Sequence, residues 1–491
     1  MDAPTNALRW QRRKITVGLL GGPLLAVILL VLGAPDGMPV AAWRVVALTA
    51  WMAVWWILEP VPMPVTALLP IALLPLLGVV DVNAAAAPYA NPLIFLFLGG
   101  FMLAEAIQRW NLHRRIALGV LTVAGKRPDH LVAGFMGATA LLSMWVSNTA
   151  TAALMVPIGL SVLTLLERKG SALDQRPMEL CLLLGIALAA NIGGMGTLIG
   201  TPPNALLAGF MADNYGIEIG FAQWMLVGVP PAALLLLAGW WLLTRWVYPV
   251  PRSPLEGIAT VLSQQSEDLG RMTRPEQRVA AVFALVALAW MGRPVLENLT
   301  GLPLSDGGIA VMGALLLFVI PARWRQRQFL LDWKSAQNLP WSVLLLVGGG
   351  LSLGSAIESS GLAEEVANMM AMFAGWPIWA MIFMVVVTVM LMSHVTSNTA
   401  TAAAIIPLAA ALTVSMEQSP LLLTVPVAMA ASCAFMLPVA TPPNAVVFGS
   451  GKVQVIDMLR AGAVMSLVAV GVICVAVFAL AMPVLGFGWW Q

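Results

Sequence analysis

Two short polar strings in an otherwise apolar chain carry residues suited to ion chemistry. Ser147-Asn148-Thr149 lies in the run from Ser143 to Pro157, and Ser397-Asn398-Thr399 in the run from Ser393 to Pro407, 250 residues later. Serine hydroxyls, asparagine amide oxygens and free backbone carbonyls suit a hard cation such as sodium. Asn148, Thr149, Asn398 and Thr399 can also donate to carboxylate or sulfate oxygens. A single triplet of this kind would read as hydrogen-bonding glue between membrane helices. Two copies read as two halves of one buried polar site.

A second motif also occurs twice. Thr201-Pro202-Pro203-Asn204 follows the first triplet, and Thr441-Pro442-Pro443-Asn444 follows the second. Paired prolines in mid-segment remove backbone donors and exclude an unbroken helix. Each motif therefore marks a broken membrane helix. No Arg or Lys lies in any of the four motifs. A dianion bound among them would lack a permanent counter-charge, and burying an unpaired charge is costly. Bound cations would supply that charge, which gives a physical reason for coupling.

The elements that must hold these motifs are membrane helices. The chain is 60% hydrophobic and 10% charged, with a mean hydropathy of +0.89, against roughly 25% charged residues in soluble domains. Its many apolar runs of about 20 residues call for helices rather than a barrel. Cys181, Cys433 and Cys474 lie in apolar segments and form no disulfide framework or metal cluster. His113, His130 and His394 have no ligand spacing. Arg9, Arg12, Arg13 and Lys14 precede an apolar run read as a first membrane helix rather than a cleaved leader. Further apolar segments fall at 40–58, 61–80 and 91–108. Glu59 reads as an acid at a helix end, and Trp55 and Trp56 as interfacial aromatics.

Charge sets the topology. Arg109, His113, Arg114, Arg115, Lys126 and Arg127 precede the first triplet segment, and Arg168, Lys169 and Arg176 follow it. Positive flanks on both sides place both ends in the cytoplasm. Each arm around the triplet, about 16 residues long, falls short of a comfortable span. The expectation is a re-entrant helical hairpin over 131–166, followed by a broken helix over 178–212. The second copy is flanked by Glu358, Glu364, Glu365 and Glu417 instead. Its hairpin, 376–414, is expected to enter from outside, followed by a broken helix over 420–450. Same motif and opposite flanks are the signature of an inverted repeat.

The domain reading is a first repeat over 1–248, a cytoplasmic linker over 249–278 and a second repeat over 279–491. The linker is the most polar stretch, with Arg252, Ser253, Glu256, Glu267, Asp268, Arg271 and Arg274. The last span ends in Trp489-Trp490. The fold expected is all-α and polytopic, with about eleven transmembrane helices plus two re-entrant hairpins and a cytoplasmic N-terminus. Gly99-Gly100 and Gly348 to Gly350 read as close helix-packing points. His394 stands at Met144's place in the repeat and reads as a satisfied structural histidine.

With both triplets and both Pro-Pro-Asn breaks, nearly the whole chain resembles the divalent anion:sodium symporter family. That family includes sodium-dependent dicarboxylate, citrate and sulfate carriers. The resemblance implies a homodimer in the bacterial inner membrane, each protomer having a scaffold domain and a mobile, elevator-type transport domain. It implies one sodium site built from Ser143, Ser147, Asn148 and the backbone near Gly196 or Gly200. A second would use Ser393, Thr396, Asn398 and the Ala440 carbonyl. Substrate would touch Asn148, Thr149, Asn398, Thr399, Thr441 and Pro442, with Thr197 or Thr201 from the first break.

The leading expectation is therefore a sodium-driven carrier of a small dianion such as the C4-dicarboxylate succinate. Its partners would be that dianion, membrane lipid and a second copy, and no nucleic acid. A sodium-independent exchanger and a sulfate or citrate carrier are the alternatives. An intramembrane enzyme would need a nucleophile with a base or a metal cluster, and Ser147 has no His or Lys in its hairpin. A channel would need a continuous polar pore.

Overall fold

The computed structural model describes residues 3–125, 127–168, 176–251, 258–370 and 375–488. Lys126, Lys169, Arg252, Ser253, Glu256, Trp489 and Trp490 lie outside the described residues. The chain is all-α apart from one two-stranded ribbon, Pro321–Arg323 against Gln328–Phe329.

Among the described residues, eight helices are long and apolar enough to cross a membrane, or nine if one bent pair counts as a span. That pair, Arg274–Met291 and Arg293–Thr300, turns by 81° at Gly292. Shorter apolar helices, among them Asp306–Val319, Ile378–Ser393 and Leu421–Ala431, also occur. The segment expected at 61–80 is not one run. It divides into Met63–Thr66 and Leu69–Leu76, where five prolines between Pro60 and Pro75 interrupt the ladder. Glu59 is an exposed C-cap in the left-handed region, φ 48°. Part of the polar stretch at 249–278 is helical. Ile258–Leu269 packs on Leu112–Val123, and Arg115 binds the Leu269 and Gly270 carbonyls and Glu276.

Two glycine pairs bring helices together. A Cβ on Gly99 would stand 2.5 Å from the Ala310 backbone, so Pro92–Arg109 can approach Asp306–Val319 only with glycine there. Gly349 meets the Ala67 carbonyl in the same way. Small residues at such crossings are what lets membrane helices pack when lipid supplies no hydrophobic drive.

The four motif segments adopt two helix–turn–helix units and two interrupted helices. Pro128–Ser143 and Asn148–Arg168 form the first unit, Ile378–Ser393 and Asn398–Ser415 the second. Arg176–Gly194 breaks before Pro202–Tyr215, and Leu421–Ala431 breaks before Pro442–Gly449. The packing is crosswise. Asn148–Arg168 lies against Pro442–Gly449, and Asn398–Ser415 against Pro202–Tyr215. Each triplet helix thus packs on the helix that follows the other half's break.

Candidate functional site

Four helices begin at the motifs, at Asn148, Pro202, Asn398 and Pro442. Proline at the first helical position needs no hydrogen-bond partner, so the Pro-Pro pairs start helices where they would have broken them. The starts at Asn148 and Asn398 present free N–H groups, and those at Pro202 and Pro442 lack N–H at their first two positions. All four present the positive end of a helix dipole, about half an elementary charge.

At the first turn, Ser143 is fully buried and its Oγ donates to the Ala190 carbonyl at 2.6 Å. One terminal atom of the Asn148 amide lies 2.6 Å from Ser143 Oγ, 3.3 Å from the Ala190 carbonyl and 3.2 Å from the Gly200 carbonyl. With nitrogen in that place the amide faces three acceptors for its two N–H protons. With oxygen there, four oxygens converge, the donor set of a hard cation. The position thus suits a closed hydrogen-bonded cluster with nitrogen there and a cation with oxygen there.

The glycines make this approach possible. A Cβ on Gly194 would stand 2.9 Å from Asn148, and one on Gly193 would stand 2.5 Å from the Ala140 carbonyl. Gly200 sits directly on the Gly194 carbonyl. Gly196 is buried beside the Met144 side chain and the Gly193 carbonyl. Ser147 is exposed, and its Oγ accepts the Ala150 N–H at 3.3 Å, capping its helix. Thr149 is exposed. Thr197 is fully buried. Its hydroxyl donates to the Met144 carbonyl and accepts the Gly200 N–H, tying the turn to the break. Thr201 is buried and makes no side-chain cap bond.

At the second turn, Ser393 Oγ and Asn398 Oδ1 are buried with no hydrogen-bond partner among the described residues. Such orphans cost on the order of 1–3 kcal/mol each. Thr396 Oγ1 donates to the Met392 carbonyl at 3.0 Å and lies 2.6 Å from Thr401 Oγ1. Thr399 and Ala440 are buried, and Pro442 is exposed. His394 is satisfied in the neutral form. Nδ1–H donates to the Met390 carbonyl at 2.6 Å, and Nε2 accepts the Phe435 N–H at 3.3 Å. It fastens the second turn to the second break, as Thr197 fastens the first.

Two participants escape the motifs. The Ala190 carbonyl joins the first oxygen cluster, and a backbone oxygen leaves no mark in a sequence. Asn191 is buried, and its Nδ2 reaches Thr441 Oγ1 at 3.0 Å and Asn444 Oδ1 at 3.2 Å, across the two halves. Its position just before the glycine run was the available signal.

The turns differ in their surroundings. Trp145 packs on Phe283 at 4.9 Å and stacks with Phe221 and Trp290. Its counterpart Val395 is 72% exposed.

A family model described as the sodium:sulfate symporter transmembrane region matches residues 16–487. The chain is 41% identical over 478 residues to the sodium-dependent dicarboxylate transporter SdcS of Staphylococcus saprophyticus, covering 96% of this chain and 92% of the relative. SdcS of Staphylococcus aureus strain USA300 is likewise 41% identical, over 477 residues, again with 96% and 92% covered. Among solved structures, the YdaH transporter of Alcanivorax borkumensis matches with a TM-score of 0.61 at 15% identity, over 90% of this chain and 99% of that one. MtrF of Neisseria gonorrhoeae matches with a TM-score of 0.53 at 13% identity, over 82% and 85%. These two likenesses concern the fold alone. The paired triplets, the paired breaks and a family match along nearly the full length agree, and the chain belongs to the divalent anion:sodium symporter family.

Proposed function

We propose that the protein is a sodium-coupled secondary carrier of small divalent anions, with C4-dicarboxylates such as succinate as the substrate. The observation that carries the reading is the convergence of Ser143 Oγ, the Asn148 amide and the Ala190 and Gly200 carbonyls at one turn. The orphaned Ser393 Oγ and Asn398 Oδ1 at the other turn support it. These donor sets suit sodium as a co-substrate, and the helix starts beside them suit a carboxylate. The 41% identical relatives are named as sodium-dependent dicarboxylate transporters, which supports the same pairing of cation and anion.

In this reading Asn148 and Asn398 couple the two. When the Asn148 oxygen turns toward the cation, its N–H group turns away from the cluster and becomes available to the anion. Thr149, Thr399 and Thr441 complete the anion's donors, with Pro442 in contact and Thr201 or Thr197 contributed by the first break. Ser147, Gly196, Thr396 and the Ala440 carbonyl remain proposed sodium contacts. The two hairpin units and two broken helices form the moving transport domain, in a homodimer of the bacterial inner membrane with its N-terminus in the cytoplasm. The division into repeats over 1–248 and 279–491, joined by 249–278, belongs to the same proposal. The unequal settings of Trp145 and Val395 fit an elevator with one turn held and the other free.

The test is uptake of labelled succinate into proteoliposomes under an inward sodium gradient. Accumulation that collapses when choline replaces sodium is expected. Unchanged uptake in choline would overturn symport and leave exchange. Competition by excess sulfate, the anion in the family model's description, would move the substrate assignment from dicarboxylate to oxyanion.

A further inference from the structure

The second break contains a chain of hydrogen bonds whose direction can be worked out. Asn444 Nδ2 donates to the Ala434 carbonyl at 3.1 Å and the Leu437 carbonyl at 2.9 Å. Carbonyls only accept, so the orientation of this amide is settled and its Oδ1 must face the other way. That oxygen lies 3.2 Å from Asn191 Nδ2, which must therefore be the nitrogen. The same nitrogen reaches Thr441 Oγ1 at 3.0 Å. Thr441 Oγ1 also accepts the Asn444 backbone N–H at 3.4 Å, the capping bond of Pro442–Gly449. A hydroxyl has two acceptor lone pairs and one proton. Both lone pairs of Thr441 are taken, and its proton has no acceptor among the described residues.

We infer that Asn191 is a positioning residue that holds Thr441 as an obligate hydrogen-bond donor to the bound anion, an inference that rests on the transport reading above. Asn191 lies on Arg176–Gly194, before the first break, and acts on the second. With no lone pair to spare, Thr441 is unsuited to a cation and suited to a carboxylate oxygen. The neighbouring sodium donors therefore do not compete for it.

The first break is not built this way. Asn191 stands ten residues before Thr201, and Ala431 stands ten residues before Thr441. No amide from the second half can thus reach back to the first break from that position. Asn204 donates through Nδ2 to the Thr197 carbonyl at 2.8 Å, as Asn444 does to Leu437. Its Oδ1, however, is buried without a partner among the described residues, where Asn444 Oδ1 has Asn191. Thr201 has no cap bond. The repeated Thr-Pro-Pro-Asn motif is therefore polarised as a donor at one copy only.

The experiment measures sodium-driven succinate uptake and sodium-induced thermal stabilisation for wild type, Asn191→Ala, Asn191→Asp, Thr441→Ala and Asn191→Ala/Thr441→Ala. For Asn191→Ala the apparent KM for succinate should rise about tenfold, the scale of one hydrogen bond to a charged group. The maximal rate should stay within about twofold and the sodium-induced rise in Tm should persist. Asn191→Asp, nearly the same shape, offers only acceptors. It should capture the Thr441 proton and raise KM at least as far. The double variant should be no worse than Thr441→Ala, because Asn191 acts through that hydroxyl. A loss of maximal rate and Tm with KM unchanged would reduce Asn191 to a packing residue and overturn the inference. So would KM effects that multiply in the double variant, or a KM at the wild-type value in Asn191→Asp. Wild-type protein without sodium-driven uptake would sink the transport reading itself, and the role assigned to Asn191 with it. Normal wild-type uptake with indifferent variants sinks the inference alone.

Discussion

At the scale of single residues, the two asparagines of the triplets have different surroundings. The Asn148 amide faces Ser143 Oγ and the Ala190 and Gly200 carbonyls. Asn398 leaves an oxygen buried and unpaired beside an equally unpaired Ser393 hydroxyl. Asn148→Ala and Asn398→Ala should each abolish sodium-driven uptake while the protein still folds and assembles. Wild-type rates in either variant would break the two-site reading. Ser393→Ala separates stability from function. It removes an orphaned hydroxyl that costs on the order of 1–3 kcal/mol. In sodium-free buffer its Tm should equal or exceed that of wild type. The Tm gain on adding sodium should shrink, because a bound ion stabilises by mass action. A lower Tm without sodium and an undiminished gain would show that Ser393 holds no cation. The triplets and threonines were legible from residue type and spacing. Ala190 and Asn191 were not, because a carbonyl has no sequence identity and an amide's partners depend on what faces it.

Among elements, the hairpin turns and broken helices follow from local chemistry. Pro202 and Pro442 can only begin helices, and Asn148 and Asn398 start theirs after a turn of four residues. The stretch at 61–80 shows the limit of hydropathy, since its composition suits a membrane but its prolines divide it. The glycine runs were read as packing points at 99–100 and 348–350, and Gly99 and Gly349 do meet backbone. Gly193 and Gly194 have the same steric role toward the first hairpin. Gly193→Ala would drive a methyl into the Ala140 carbonyl, at a cost of about 1–3 kcal/mol. It should lower Tm and weaken sodium binding together, measured by the sodium dependence of Tm. The aromatic clasp predicts a contrast between turns. Trp145→Ala should lower Tm, because it loses contacts with Phe221, Phe283 and Trp290. Val395→Ala, at an exposed position, should leave Tm unchanged. Equal effects at both turns would remove the asymmetry from the elevator reading.

For the whole molecule, the crosswise packing is the feature that makes one site from two motifs. Each triplet helix rests on the helix after the other half's break, so neither half can form the site alone. Opposite charge flanks predict that the two hairpins enter from opposite sides of the membrane. In cells, a cysteine at the open end of the first hairpin, His130→Cys, should react with an impermeant thiol reagent only from the cytoplasmic side, and one at the open end of the second, Trp376→Cys, only from outside. Cys181 and Cys433 are buried, and Cys474 is half-buried and is the background to control. Both engineered thiols reacting from the same side would overturn the inverted arrangement.

By itself, the sequence determined that this is a helical membrane protein with a duplicated polar motif, because charge content and proline positions act locally and leave few alternatives. It also carried the family, since the four motifs occur together. Only the tertiary structure decided how those motifs meet. Helix crossings set by glycines brought the Ala190 and Gly200 carbonyls to Asn148. The approach of Arg176–Gly194 to Pro442–Gly449 turned Asn191 toward Thr441 and so set the direction of its proton. Hydrogen-bond direction depends on which acceptors surround a group, and those acceptors come from distant parts of the chain.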